Sequence, residues 1–134
     1  MREDGKDLDI DVTNLYERVG GTAFFIELVE RFYTFVENEP AIRHLYPEDL
    51  GPGKKNLAHF LAQYWGGPGD YSIDRGHPRL RMRHMHLRIG AAERDCWYHH
   101  MAAAVSESRI DADLQERMLE YFSMAANHLV NSAD

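Results

Sequence analysis

The sequence predicts an all-α protein, and three observations support this fold class. In several long segments, apolar residues recur every three or four positions, as they do along one face of an α-helix. Prolines and glycine pairs separate these segments. They end helices because glycine tolerates left-handed backbone conformations and proline lacks a backbone N–H. No segment alternates convincingly between apolar and polar residues at the two-residue period of a β-strand.

Two helices are predicted in the first third of the chain. The first is short, can be capped by Thr13 or Asn14, and should end before Gly20-Gly21. Thr22 can cap a longer helix that continues to about Asn38. The apolar face of this longer helix is formed by Phe25, Leu28, Val29, Phe32 and Val36.

Proline and glycine divide the middle of the chain. A short turn at 41–46 is followed by Pro47 and by Gly-Pro-Gly at 51–53, which should break the chain before the next helix. The apolar face of that helix is formed by Leu57, Phe60, Leu61, Tyr64 and Trp65. The glycine-rich segment 66–70 should end it, and an irregular stretch is expected up to Pro78.

Three helices are predicted in the remainder. The first is short because it lies between Pro78 and Gly90. The second should span about Ala91–Ser106 and the third about Ala112–Val130. Their apolar positions are Trp97, Met101, Ala104 and Val105 on the second, and Leu114, Met118, Phe122, Ala125 and Leu129 on the third.

Composition limits the class of protein. The chain has 134 residues, so one domain is expected; residues 1–12 are charged and should form a mobile tail, leaving 13–134 as a single folded domain. The formal net charge of -7 argues against nucleic-acid and anionic-membrane partners. No apolar run approaches the roughly 20 residues of a membrane span. Cys96 is the only cysteine and no secretion signal is evident, which favours a cytoplasmic protein.

The segment LRMRHMHLRI, residues 80–89, places two histidines among arginines. Successive helix positions rotate by about 100°, so His84 and His86 should point roughly 200° apart and only one can face the interior. His84 is the interior candidate because it lies on the side of Leu80 and Leu87.

Three interpretations of His84 remain open at this point. It can be a core histidine bonded to a neighbour, a zinc ligand, or the ligand of a haem iron. Zinc is disfavoured, because the chain has one cysteine and its other histidines lie at no ligand spacing. Haem needs an apolar slot between helices and cations near its carboxylates. A basic cluster that meets the second need is formed by Arg75, Arg79, Arg81, Arg83 and Arg88.

From about Leu15 to Ser132 the chain resembles the second group of truncated haemoglobins, the group typical of actinobacteria. The segments that carry the resemblance are LYERVGG, ERFYTFV, HLYPEDL, FLAQYWGGPGDYS, RGHPRLRMRH, ERDCW and MAANHLVNS. The resemblance implies a truncated globin, a two-over-two helical sandwich enclosing haem b.

Carried over to this sequence, the resemblance implies that His84 is the proximal iron ligand, with its second ring nitrogen donating to a backbone carbonyl or water. On the opposite, distal side it implies three hydrogen-bond donors, Tyr33, Tyr46 and Trp97. A donor aimed at bound dioxygen stabilises the liganded state by about 1–1.5 kcal/mol, or roughly tenfold in dissociation. Three donors together imply slow release.

Other positions follow from the same resemblance. Gly53 stands where many haem proteins place a distal histidine, and it offers no side chain to block a ligand. Leu57 is implied over the iron and Phe60 against the haem. The family often has a proline soon after the proximal histidine, whereas this chain has Met85-His86-Leu87. This leaves His86 as either a second ligand or a surface residue, and we expect it at the surface. The remaining implied haem contacts are Tyr71, His77, Arg79 and Arg83.

The leading expectation for function is reversible dioxygen binding with slow release at a five-coordinate ferrous haem. The alternative is a redox enzyme at the same haem, a nitric oxide dioxygenase or a peroxidase-like enzyme. The chain has no flavin or nicotinamide motif, so an enzyme would need an external reductase. Nitric oxide, carbon monoxide, cyanide and sulfide are further ligands to consider. A third interpretation is a helical interaction module without haem.

Overall fold

The computed structural model describes residues 15–133, and within this range it contains helices and no strand. The all-α prediction is confirmed. The expected tail at 1–12 and the caps Thr13 and Asn14 lie outside the described residues. The helices are α1 (15–19), α2 (Thr22–Glu37), α3 (Pro40–Arg43), α4 (Gly51–Tyr64), α5 (Asp70–Arg75), α6 (Leu80–His84), α7 (Ala91–Ser106) and α8 (Ala112–Leu129).

The prediction that residues 51–53 break the chain before a helix was wrong. Helix α4 begins at Gly51, so Pro52 lies in its first turn. A proline is tolerated there because the first backbone N–H groups of a helix have no partner within the helix. The predicted turn at 41–46 also contains one helical turn, α3, in which Glu39 caps the backbone N–H of Ala41.

The stretch expected to be irregular contains helix α5. Tertiary contacts rather than propensity explain it, because the Gln63 amide bonds Ser72 twice. Gln63 Nε2 donates to Ser72 Oγ at 2.7 Å, and Gln63 Oε1 accepts from the Ser72 backbone N–H at 3.0 Å. This pair holds α5 against α4, and a glutamine in an apolar helix gave no local sign of it.

Residues 15–133 form two compact units. The first unit contains residues 15–29 and 51–78, and the second contains residues 30–50 and 79–133. The first unit is built on stacked aromatic rings. Phe25 lies between Tyr16, with ring centroids 6.2 Å apart, and Trp65, with centroids 5.9 Å apart. The Tyr16 hydroxyl bonds Thr22 Oγ1 at 2.6 Å, so α1 and the start of α2 are fixed together.

The buried face of α4 is rotated from the predicted one. Ala58, Leu61, Ala62 and Trp65 are buried, whereas Tyr64 is 44% exposed. The five residues predicted to be buried belong to two neighbouring faces of the helix. Leu61 and Trp65 lie on the face that packs in the core, whereas Leu57, Phe60 and Tyr64 lie on the adjacent face. Leu57 and Phe60 are accordingly only partly buried.

Gly67 is required by packing in the first unit. A Cβ at this position would lie 2.4 Å from Tyr16 Cε1 and 2.8 Å from the Ala62 carbonyl oxygen. We therefore expect Gly67→Ala to lower the free energy of unfolding by about 1–3 kcal/mol, the usual cost of overpacking. Urea unfolding followed by circular dichroism measures it.

The matched control is Gly69→Ala, because a Cβ at Gly69 would meet only the flexible end of Gln63 at 3.9 Å. Equal unfolding midpoints for the two variants would show that the Tyr16 contact does not constrain position 67.

The second unit has its core between α7, α8 and the end of α2. The fully buried side chains on α7 and α8 are Met101, Ala104, Val105, Leu114, Met118 and Phe122. All six were predicted, but in the last turn of α8 Ala126 is buried instead of Ala125, because position 126 lies one full turn after Phe122. Arg31 joins α2 to α7, since its guanidinium donates to Ala104 O at 3.2 Å and to Ser108 Oγ at 2.6 Å.

None of the helices in residues 15–133 combines the length and the apolar character that crossing a lipid bilayer demands.

Candidate functional site

The three predicted distal donors come together in the second unit. Tyr33 lies on α2, Tyr46 follows α3, and Trp97 lies on α7. Trp97 Nε1 donates to the Tyr46 hydroxyl at 3.1 Å. The rings of Tyr33 and Tyr46 meet edge to face with centroids 5.7 Å apart. Residues separated by 51 positions in sequence thus form one contiguous polar and aromatic group, which we call the donor group.

The loop that carries Tyr46 is held by Arg43, which the sequence analysis missed. Its guanidinium donates to the backbone carbonyls of Tyr46 at 3.3 Å, Pro47 at 3.0 Å and Glu48 at 3.1 Å. Five N–H donors in a rigid fork suit this task. In the sequence, the only indication of this role is that Arg43 lies shortly before a proline-containing turn.

The two tyrosine hydroxyls in the donor group are protonated and have unused donor capacity. Tyr33 is only 4% exposed, and its hydroxyl has no hydrogen-bond partner within residues 15–133. The Tyr46 hydroxyl accepts from Trp97 and donates to no group in the same range. Burial raises the pKa of Tyr33 to about 12 and also raises the pKa of Tyr46. A buried hydroxyl without a partner is costly, so this pair points toward a ligand that accepts hydrogen bonds.

The raised pKa of Tyr33 predicts an alkaline loss of stability. With a pKa of about 12 in the folded chain and about 10 when unfolded, its contribution is complete below pH 10 and is lost as the pH rises toward 12. We expect Tyr33→Phe to remove about 2–3 kcal/mol of the fall in unfolding free energy between these pH values. Urea titrations from pH 8 to 12 measure this slope.

The exposed Tyr64 supplies the control, since Tyr64→Phe should leave the alkaline slope at its wild-type value. An identical slope in the wild type and in Tyr33→Phe would mean that the Tyr33 hydroxyl is not kept protonated by burial.

His84 is the last residue of α6 and is partly buried. Its Nδ1 lies 2.6 Å from the carbonyl oxygen of Leu80. A carbonyl only accepts, so Nδ1 is the donor in this bond, and in the neutral ring the lone pair is then on Nε2. The expected bond from the second ring nitrogen to a backbone carbonyl is therefore present, and the imidazole is in the tautomer that can bind a metal through Nε2.

The path of the chain after His84 is fixed by Asn131, another residue that the sequence analysis missed. Asn131 Oδ1 accepts from the Ile89 backbone N–H at 2.9 Å, and Nδ2 donates to the Leu87 carbonyl at 2.8 Å. These bonds define the segment without the proline that the family often has. His86 lies in the turn after α6 and is exposed, as expected.

The chain matches the family of bacterial-like globins over residues 14–131. It belongs to this family. The match spans both units and includes every residue predicted for the site.

Individual globins agree with this assignment. Group 2 truncated haemoglobin YjbI of Bacillus subtilis is 31% identical over 119 residues, covering 89% of each chain. A thermostable haemoglobin from Thermobifida fusca is similar in structure with a TM-score of 0.87, 50% identity and coverage of 90% of this chain and 98% of that one. Haemoglobin from Chloroflexus aurantiacus gives a TM-score of 0.86, 48% identity and coverage of 88% and 98%. The predicted two-over-two truncated-globin fold is confirmed.

Globins of this family bind haem b, and the residues of this chain fit that group. His84 offers a neutral imidazole nitrogen, and the donor group offers hydroxyl protons without an acceptor in the described residues. Both are what a haem with a small polar ligand requires. The chain is a haem-binding globin.

The arginines of the predicted basic cluster have different contacts in the structure. Arg81 donates to the carbonyls of His128 at 2.6 Å and Val130 at 3.3 Å, so it binds the carboxyl end of α8. Arg88 Nε lies 3.3 Å from Ser132 Oγ. Arg79 precedes α6 in a left-handed conformation with φ of 46°, and Arg83 lies on α6. The pairing of Arg79 and Arg83 with haem carboxylates stays a prediction.

The remaining predicted residues lie in the first unit. Gly53 is in the first turn of α4, and Leu57 and Phe60 are partly buried on the same helix. Tyr71 on α5 is 5% exposed, and its ring meets that of Phe60 edge to face at 5.4 Å. His77 follows α5 and is exposed. Their contacts with haem stay predictions.

Proposed function

We propose that this globin binds dioxygen reversibly, with slow release, at a ferrous haem b whose only protein ligand is His84. One observation carries the proposal: the Tyr33 and Tyr46 hydroxyls are protonated donors without an acceptor in the described residues. When bound, the haem supplies a ferrous iron with one coordination position open to a diatomic ligand.

In this proposal, His84 Nε2 is the iron ligand and the bond from Nδ1 to Leu80 O orients the ring. The bond is short, at 2.6 Å, and it keeps the proton on Nδ1. Such a hydrogen bond fixes the tautomer and the ring angle, and it also raises the basicity of the coordinating nitrogen.

The donor group would act as a unit rather than as three separate donors. The Trp97 N–H is directed to the Tyr46 hydroxyl oxygen, so the Tyr46 proton is left to bond the outer atom of a ligand. Trp97 thereby orients Tyr46, and Tyr33 adds a second hydroxyl from the neighbouring ring. The protonated hydroxyls of Tyr33 and Tyr46 would favour the partial negative charge that a dioxygen ligand would carry.

Absorption spectroscopy and stopped-flow mixing test the proposal on the haem-loaded protein. Cycles of oxygenation and deoxygenation should restore a five-coordinate ferrous spectrum. The oxygen dissociation rate, followed by trapping with carbon monoxide, should be slow. A six-coordinate deoxygenated spectrum, or oxidation of the iron faster than oxygen release, would contradict it.

A peroxidase-like activity with an external reductant is the second candidate, and a chain of aromatic rings favours it. From Trp97, ring centroids lie 6.0 Å from Phe122, and Phe122 lies 5.6 Å from the partly exposed Tyr121. Trp97 and Tyr121 are the oxidisable side chains, and the Phe122 ring between them would serve only as a bridge for electron transfer from Tyr121 to Trp97. Steady-state turnover of peroxide with a small aromatic reductant measures this activity, and loss of turnover in Tyr121→Phe would support the route.

A further inference from the structure

A second cluster of metal-ligating side chains lies apart from His84 and the donor group. Cys96 and His100 are four residues apart on α7, so both project from one face of that helix. Glu39, the N-cap of α3, meets them from the adjoining element. The carboxylate oxygen, thiol sulfur and imidazole nitrogen all lie within 4.8 Å of one another.

Each side chain in this cluster is already held in place. Glu39 Oε2 accepts the Ala41 backbone N–H at 3.2 Å, which leaves Oε1 to bond His100 Nε2 at 2.8 Å. The Phe35 ring stacks on the His100 ring with centroids 5.3 Å apart. The Cys96 sulfur lies within 4.8 Å of the Glu39 carboxylate. All three side chains are partly exposed, so the cluster can be reached from solvent.

We propose that Glu39, Cys96 and His100 form a binding site for a divalent cation of the zinc class, with a water as the fourth ligand. Thiolate, imidazole and carboxylate are the ligands that zinc takes in proteins, and three protein ligands with one open position are common. Ligand atoms about 2.0–2.3 Å from a tetrahedral zinc lie roughly 3.3–3.8 Å apart. The present separations therefore need only small side-chain movements.

The charges balance at this site. Burial, and after it the Glu39 carboxylate, raise the pKa of the Cys96 thiol, so without metal the sulfur is protonated. On metal binding the thiol proton and any proton on the coordinating nitrogen of His100 leave to solvent, and the bound ring keeps its proton on the other nitrogen. One thiolate and one carboxylate then neutralise the two positive charges of the ion. Metal coordination would replace the hydrogen bond between Glu39 and His100. It would therefore hold α3 more firmly against α7.

Isothermal titration of the haem-loaded, full-length protein with zinc chloride tests the proposal. We expect one zinc per chain. Cys96→Ser and His100→Gln should each weaken binding roughly tenfold or more, since even the outer partners of metal ligands contribute that much. The matched control is His99→Gln, because His99 is the exposed neighbour of His100 and lies outside the cluster. Zinc binding that is lost in His99→Gln and kept in Cys96→Ser would overturn the proposal.

A second measurement is made on the wild-type protein, so its decisive result does not depend on whether the Cys96 and His100 variants fold. Cys96 is the only cysteine in the chain, so alkylation by iodoacetamide, read by mass spectrometry, reports on this thiol alone. Zinc should slow alkylation of the wild-type protein and should have no effect in Glu39→Gln. Equal alkylation rates of the wild type with and without zinc would show that the thiol is not a ligand.

Discussion

Replacing His84 by glycine is expected to remove most of the bound haem. The side chain offers the imidazole nitrogen proposed as the only protein ligand of the iron, and glycine has nothing to replace it. The purified variant should show a haem absorbance per chain at least about tenfold lower than the wild type, because one coordinate bond is worth more than the 1.4 kcal/mol that corresponds to a factor of ten. Pyridine haemochrome assays measure it.

Added imidazole provides a direct check on the same variant. It should enter the space left by the side chain and restore both haem uptake and the five-coordinate spectrum. His86→Gly is the matched control, since that histidine is two residues away, exposed, and expected to leave haem content unchanged. If His84→Gly kept its haem with an unchanged fifth-ligand spectrum, the assignment of His84 would have to be given up.

The second large effect is expected in oxygen release. Tyr46→Phe removes the hydroxyl proposed to bond the ligand and should raise the dissociation rate roughly tenfold, for a loss of about 1–1.5 kcal/mol. Trp97→Phe should have a similar effect, because it removes the N–H that orients the Tyr46 hydroxyl at 3.1 Å. Stopped-flow replacement of oxygen by carbon monoxide measures both rates.

The double variant decides whether the two residues act as a unit. Trp97 is inferred to act through Tyr46, so the two substitutions should not be additive. The oxygen dissociation rate of the double variant should be lower than the rate obtained by multiplying the two single-variant increases. Tyr98→Phe, at the position after Trp97, is the control and should keep the wild-type rate. Unchanged oxygen dissociation in both Tyr46→Phe and Trp97→Phe would refute the role of the donor group.

Local patterns predicted the helices well where the apolar period was long. The bounds of α7 were predicted to the residue, and α2 ends one residue before the expected position. The helices and helix ends that were not predicted correctly lie in the shorter segments of the chain. Helix α5 is held by hydrogen bonds from the Gln63 amide, which its own sequence does not reveal. Helix α4 begins at Gly-Pro-Gly, a sequence that by itself predicts the end of a helix.

The candidate site was predicted by resemblance more than by pattern. Periodicity alone selected His84 over His86, and the structure places His84 partly buried and His86 exposed. Nothing local could have revealed Arg43 or Asn131 as positioning residues, because both act on backbone groups through polar side chains that resemble surface residues in sequence. The same is true of Arg81, which appeared to belong to a haem-facing cluster but binds the carboxyl end of α8.

By itself the sequence determined the helical class, the ends of its long helices and the family, and it selected the histidine that we propose as the iron ligand. These follow from periodicity, glycine and proline positions and local motifs, which act over a few residues. Only the tertiary structure decided that Trp97 donates to Tyr46, that the Tyr33 hydroxyl has no hydrogen-bond partner among residues 15–133, and that Glu39 meets Cys96 and His100. The contacts of Trp97 with Tyr46 and of Glu39 with Cys96 and His100 join residues 51 to 61 positions apart. Packing of separate helices, which no local pattern encodes, sets their distances.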